Sequence, residues 1–189
     1  MTPQEKCDLI REKSNRALPV LFERAKLLLK DTAAFDKRAH KLFRIIDEMA
    51  GHVAEVALCK KNCSFCCYQA VLISEWEAKQ IAKYTKRKMI DIAGYGSADD
   101  DTPESLRDKH NNLPCTFLHD GDCSIYPVRP AICRLHFSMA NEISLCDIVG
   151  DPGATVPYFD FEQTKILTMC FMMQYSTKFG DIRDFFALK

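Results

Sequence analysis

The sequence predicts a mainly helical α+β domain with a small β-hairpin, organised around a cysteine-rich metal site. Three observations carry that reading. Apolar residues recur at spacings of three and four through the first 58 residues. An Asp120-Gly121 turn is flanked by short apolar runs. Four cysteines fall within the nine residues CKKNCSFCC, Cys59 to Cys67. At 189 residues the chain fits one domain, or one domain with a helical extension. Its 47% hydrophobic and 28% charged residues are ordinary for a globular protein with a core. With 26 basic against 26 acidic side chains, no global field points to nucleic acid or an anionic membrane. No apolar run approaches the ~20 residues that a membrane span needs.

Thr2-Pro3-Gln4-Glu5 opens the first helix: Thr2 suits the cap, Pro3 the first helical position, and Glu5 completes a capping box. A second run begins near Leu18-Pro19 and carries Val20, Leu21, Ala25, Leu28 and Leu29. A third, from about Thr32, carries Phe35, Ala39, Leu42, Ile45, Ile46, Met49, Val53, Val56 and Ala57. The stripe is that of helices against a core, and is too wide for a strict coiled-coil seam. Residues 1–58 therefore read as a helical segment packed on the same domain, and residues 59–189 as the cysteine-cluster domain.

Beyond the cluster, Tyr68 to Ile73 reads as a short extended segment. Ser74-Glu75-Trp76-Glu77 is a second capping box, opening a helix expected to run to about Ile92. Lys86-Arg87-Lys88 near its end suits the negative pole of the helix dipole and reads as a solvated terminus. Gly94 to Ser97 and the acidic Asp99 to Asp101 form a loop before a helix at Pro103. Cys115 to Leu118 and Cys123 to Tyr126, joined by His119-Asp120-Gly121-Asp122, predict the hairpin. Ala131 to Arg134 reads as a single helical turn bearing Cys133, and Cys146 lies in a loop-like stretch. Phe159 to Tyr175 is apolar at helical spacing, with Met169, Phe171, Met172 and Met173 read as core.

Ten cysteines decide the chemistry. The polar, helix-patterned N-terminus MTPQEKCDLIREKSNR is unlike a signal peptide, which favours a reducing cytoplasm and metal binding over a disulfide framework. If residues 59–67 are helical, Cys59, Cys63, Cys66 and Cys67 share one face, an arc of roughly 100°. The same pattern suits a buried stripe of small apolar residues. A second set, Cys115, Cys123, Cys133 and Cys146, reads as the other half of one site. Adjacent side chains diverge, so Cys66 and Cys67 serve one tetrahedral ion only through a tight turn. They more naturally serve two irons of a cluster, two metals, or one ligand and one free thiol. Eight thiolates on one divalent ion would also leave a costly uncompensated charge. Soft sulfur donors select zinc, iron–sulfur or copper(I). Arg129 and Arg134, flanking Cys133, are placed to hold thiolates. His136 is a possible nitrogen ligand or a structural histidine, and Cys7 and Cys170 read as packing residues.

CKKNCSFCCYQAVLISEWEA followed by PCTFLHDGDCSIYPVRPAICR resembles the CxxCxxCC cysteine-cluster family, the YkgJ-like zinc- or iron-chelating domains. The resemblance spans about residues 56–146 and keeps the family's order of motifs. It implicates Cys63, Cys66, Cys67, Cys115, Cys123 and Cys133, with Cys59 one residue out of spacing and Cys146 later and looser. Leu135-His136 stands where the family continues with an aromatic residue and proline. A flagellin lysine methylase carries a related cluster, but this chain has no methyl-donor-binding glycine motif. The expectation is a metal-chelating protein binding zinc or iron, mononuclear, dinuclear or as [4Fe-4S]. An iron–sulfur or thiolate-dependent enzyme, or a structural zinc module for protein contacts, are the alternatives.

Overall fold

The computed structural model describes residues 1–60, 63–94, 103–147, 149–150 and 155–187. Three helices come first: α1 (Pro3–Lys13), α2 (Ala17–Leu27) and α3 (Phe35–Ala54). The Thr2 capping box forms as the sequence predicts, with Glu5 N–H donating to Thr2 Oγ1 and Glu5 Oε2 accepting from Thr2 N–H. The α3 stripe of Ala39, Leu42, Ile45, Ile46, Met49 and Val53 is buried against α2 and against Leu135, Phe159, Phe161 and Phe171 of the second half of the chain. The first core is therefore shared between N-terminal helices and C-terminal residues.

Residues 65–68 form a 3-10 turn, followed by strand β1 (Leu72–Ser74) and helix α4 (Glu75–Thr85). The Ser74–Glu77 capping box is present, and Glu77 is itself buried, its second oxygen accepting from Ala131 N–H at 2.9 Å. Helix α4 stops earlier than its sequence pattern suggests. Lys86 turns into the left-handed region at φ 59°, and Met89 and Ile92 pack on a second core instead of extending the helix. The acidic Asp99 to Asp101 run lies outside the described residues.

Helix α5 (Pro103–His110) leads to the expected hairpin, which is shorter than the apolar runs imply. Strands β2 (Leu118–His119) and β3 (Asp122–Cys123) pair antiparallel around Asp120 and Gly121, both at positive φ. Helix α6 (Ala131–Arg134) is the single turn bearing Cys133, and a 3-10 turn at Ile143–Cys146 follows. Helix α7 (Glu162–Met172) buries Phe171 and Met172 but exposes Met169, and Met173 just beyond its end is exposed too, so two of the four residues read as core are buried.

The segment after α7 carried no sequence signal, yet it completes the fold. Strand β4 (Phe179–Asp181) pairs antiparallel with β1, Leu72 opposite Asp181 and Ser74 opposite Phe179. Helix α8 (Ile182–Phe185) then seals the second core of Val71, Ile73, Ala78, Ile81, Phe117, Ile125, Ile182, Phe185 and Phe186. Between β4 and α8 a buried pair forms: Asp181 is 0% exposed and Arg183 6%. Arg183 Nη1 donates to both Asp181 oxygens, at 2.9 and 3.2 Å. Its Nη2 donates to the carbonyls of Cys67, Gln69 and Leu113, and its Nε to that of Pro114. Removing one partner of such a pair strands the other charge and costs about 3–5 kcal/mol. Arg183→Met is therefore expected to lower the urea midpoint by an amount equivalent to about 3–5 kcal/mol at unchanged m. A midpoint equal to the parent protein's would show that the pair adds nothing.

Candidate metal centre

The cysteine stretch is not a helix. Cys59 and Cys63 lie in irregular backbone, and Cys66 and Cys67 sit in the 3-10 turn of residues 65–68. The convergence of thiols expected from one helical face is produced by tertiary contacts instead. Cys115 N–H donates to the Cys67 carbonyl at 2.7 Å, and Asn112 N–H to that of Tyr68 at 2.8 Å. Asn111 Oδ1 accepts from Ala70 N–H at 2.8 Å. Together with the Arg183 fan, these bonds lash the vicinal pair to the segment that opens the hairpin. His110 ends α5, is 4% exposed and bonds Asp184 through Nε2 at 3.1 Å.

A cavity of about 520 Å³ results. Six thiols border it: Cys63, Cys66, Cys67, Cys115, Cys123 and Cys133. The two halves of the predicted site, separated by some fifty residues of chain, thus face one space. Lys60 and Arg129 add positive charge to the wall, while Val71, Ile125, Pro130 and Ile182 make it apolar. Cys115, Cys123 and Cys133 also pack on the second core, so their sulfurs lie where apolar burial ends and the cavity begins. All ten cysteines are free thiols. They line the cavity without closing on a point. Among the described residues no group of three or more His, Cys, Asp or Glu side chains could hold a metal ion as it stands.

Cys59 and Cys146 are placed differently from the six. Both flank Ser138: Cys59 Sγ accepts from its backbone N–H, and Cys146 Sγ donates to its Oγ, each at 3.3 Å. The charge of Cys66 is felt by Cys59 and Cys63 as well as by Cys67, Cys123 and Cys133. Cys170, expected to pack on a helix face, is exposed, while Cys7 is partly buried against the first core.

Burial, helped by neighbouring thiols, pushes Cys59, Cys63, Cys115, Cys123 and Cys133 above the usual cysteine range. The vicinal pair is split. The Cys67 S–H donates to the Cys66 sulfur and holds Cys66 down to about 7, with Arg129 assisting, while Cys67 itself is driven up. The two adjacent thiols are thereby driven in opposite directions, Cys66 towards the thiolate and Cys67 towards the thiol.

The two arginines flanking Cys133 part company. Arg134 turns away from the cavity to Asp47, donating to its Oδ2 at 2.7 Å, and to the carbonyls of Arg129 and Pro127. Arg129 stays on the cavity wall over the Tyr126 ring, its carbon centre 3.9 Å from the centroid. Its Nε is buried with no hydrogen-bond partner, which fits a cavity built to hold an acceptor. Soft donors in this number together with that orphaned donor suit thiolate-bound zinc or iron.

His136 is not on the cavity wall. Its ring lies against Tyr158, centroids 4.3 Å apart, and burial holds the imidazole down to about 4, with the Lys165 charge contributing. The unfolded chain, with an ordinary histidine near 6.5, binds this proton more tightly. Stability contributed by neutral His136 is thus complete above pH ~6.5 and is lost as pH falls toward ~4. His136→Phe keeps the ring contact and removes the titration, so its urea midpoint should fall less than the parent's between pH 7 and about pH 4.5. Parallel pH profiles for the two proteins would contradict this account.

Comparison with known proteins agrees with the cysteine pattern. No curated protein and no solved structure matches the chain. Residues 58–165, more than half of the chain, match the CxxCxxCC family, described as a "putative zinc- or iron-chelating domain". That stretch contains all six cavity thiols together with Cys59, Cys146 and Arg129. The chain is a member of the CxxCxxCC family, and zinc or iron chelation is the property that the family description names.

Proposed function

We propose that this protein chelates zinc or iron in the thiol-lined cavity, with Cys63, Cys66, Cys67, Cys115, Cys123 and Cys133 as the donors. The observation that supports this most directly is that six cysteines from two distant segments border one space. Packing alone gives cysteines no reason to share a cavity wall with Lys60 and Arg129. Cys59 and Cys146, held at Ser138, back the donor set from behind and are reserve ligands in this reading. His136, pressed on Tyr158, is left out of it.

Six thiolates around one divalent ion would leave a large negative charge in a half-buried place, so more than one metal atom is the better match. The vicinal pair argues the same way. Successive side chains of a 3-10 turn point about 120° apart, so Cys66 and Cys67 reach the cavity from different directions. A pair of metal atoms or an iron–sulfur cluster uses both. The bound metal would supply Lewis acidity or, as a cluster, electron transfer. The chain's own part is to position the sulfurs, balance their charge and limit the access of water.

A second reading has a specific observation behind it. Structural zinc sites are closed, whereas this cavity is far larger than one ion requires, and one of its thiols, Cys66, is poised at about 7. Those features suit a thiolate- or metal-dependent reaction on a small substrate.

Elemental analysis with acid-labile sulfide on anaerobically purified protein tests the reading. The expected result is zinc or iron in at least stoichiometric amount, lost or halved in Cys66→Ser and Cys133→Ser and retained in Cys170→Ser. A strong chelator should lower the melting temperature of the parent protein, because ligation stabilises the folded state. Parent protein that takes up neither metal and is unmoved by chelator would overturn it.

A further inference from the structure

Arg129 is held where it is by bonds that do not involve its side chain. The 3-10 turn at Tyr126–Val128 precedes it and Pro130 follows. Its carbonyl accepts from Arg134 Nε at 2.8 Å, and the Pro127 carbonyl from Arg134 Nη2 at 3.0 Å. Arg134 is in turn gripped by both oxygens of Asp47. The backbone is thereby fixed, and the side chain can lie only along the cavity wall and the Tyr126 ring.

On that wall the guanidinium is under-used. Among the described residues no carboxylate forms an ion pair with Arg129. Among those residues, too, its Nε is the one buried side-chain nitrogen or oxygen without a hydrogen-bond partner. A buried donor left unsatisfied costs about 1–3 kcal/mol, more when it is charged. A planar guanidinium shields its neighbours poorly unless its N–H groups point at the charge that they balance. Sharing the cavity with it are the Asp122 carboxylate, which forms no ion pair with it, and the sulfurs of Cys63, Cys66, Cys67, Cys115, Cys123 and Cys133. As thiols these accept weakly; as metal-bound thiolates they accept a charge-assisted N–H···S bond.

We infer that Arg129 is a positioning residue of the metal centre, whose Nε–H donates to a metal-bound thiolate in this cavity and whose charge offsets the excess of sulfur anions. The inference rests on the chelation reading above. It assigns Arg134, the other arginine beside Cys133, to the scaffold rather than the site. Lys60, also on the wall, adds charge from the opposite segment.

The test uses Arg129→Met, which keeps the stem but neither charge nor donor, and Arg129→Lys, which keeps the charge without the Nε–H. Zinc affinity is measured by competition with a chromophoric chelator, and the sulfur-to-metal charge-transfer band is recorded on cobalt(II)-loaded protein. A hydrogen bond lowers the energy of the sulfur lone pair, so its removal moves that band to longer wavelength. Loss of an outer-shell partner costs about 10–100-fold in metal affinity. Arg129→Met should show that loss with the band red-shifted, and Arg129→Lys should recover part of the affinity while leaving the band red-shifted. Should Arg129→Met fail to fold, the band position in Arg129→Lys decides. Variants with the parent's affinity and an unshifted band would overturn the inference and leave chelation intact. Parent protein that binds neither zinc nor cobalt would overturn chelation itself, and the inference with it.

Discussion

The buried Arg183–Asp181 pair is the constraint on which the cysteine half of the molecule depends. Backbone carbonyls at Cys67, Gln69, Leu113 and Pro114 have no strand or helix partner to satisfy them, and one guanidinium answers all four. Asp181 holds that guanidinium in place, and its Oδ2 also accepts from Val71 N–H at 2.6 Å. Two segments that chain entropy would keep apart are thus joined through a third, contributed by the C-terminus. The family match ends at residue 165, so this clamp lies outside the matched region. The cysteine-bearing segments and the residue that holds them together come from different stretches of the chain.

The cavity's place at the edge of the second core has an energetic consequence. Cys115, Cys123 and Cys133 lean on the second core, and burial raises their thiols. Ionising them is unfavourable until a cation arrives, so binding of metal must release protons and strengthen as pH rises. The fold accepts this cost at the same place where it provides relief, because the cationic Arg129 and Lys60 face the same space. Without ligation, six part-buried thiols are small apolar residues with a cavity between them, a weak way to fill a core. The unfavourable packing and the affinity for metal are two aspects of one arrangement.

Much of the fold could be read from the sequence where a local rule sets the structure. The capping boxes Thr2–Glu5 and Ser74–Glu77, the α3 stripe and the Asp120-Gly121 turn each have a residue-level cause and form as that cause requires. Errors arise where a tertiary partner overrides the local pattern. Residues 89–92 abandon the helical run because the second core takes Met89 and Ile92. The cysteine stretch leaves the helix because its carbonyls bond Arg183 and Cys115. Arg183, Asp181 and His110 gave no signal, since an arginine serving backbone carbonyls leaves no spacing rule. Gly180 is similar: it leaves room beside Ile92, a need visible only in three dimensions. Residue type alone grouped eight cysteines, and the family resemblance set Cys59 and Cys146 apart from the six that border the cavity, whereas the meeting of those two at Ser138 left no trace in the sequence.

The vicinal pair shows why geometry, rather than the number of sulfurs, governs what this site can do. Cys66 and Cys67 are chemically identical and adjacent, yet the turn gives them opposite proton affinities by making one the donor to the other. The charge of Cys66 acts on thiols of both segments, on Cys59 and Cys63 and on Cys123 and Cys133. Cys67 is tied by its own carbonyl to Cys115 and Arg183 and has little freedom to move. A site in which one sulfur is central and poised while its neighbour is fixed is asymmetric. A single tetrahedral ion, with four equivalent positions, makes no use of such asymmetry. A centre with several metal atoms does, because a sulfur shared between them differs from one that binds at its edge.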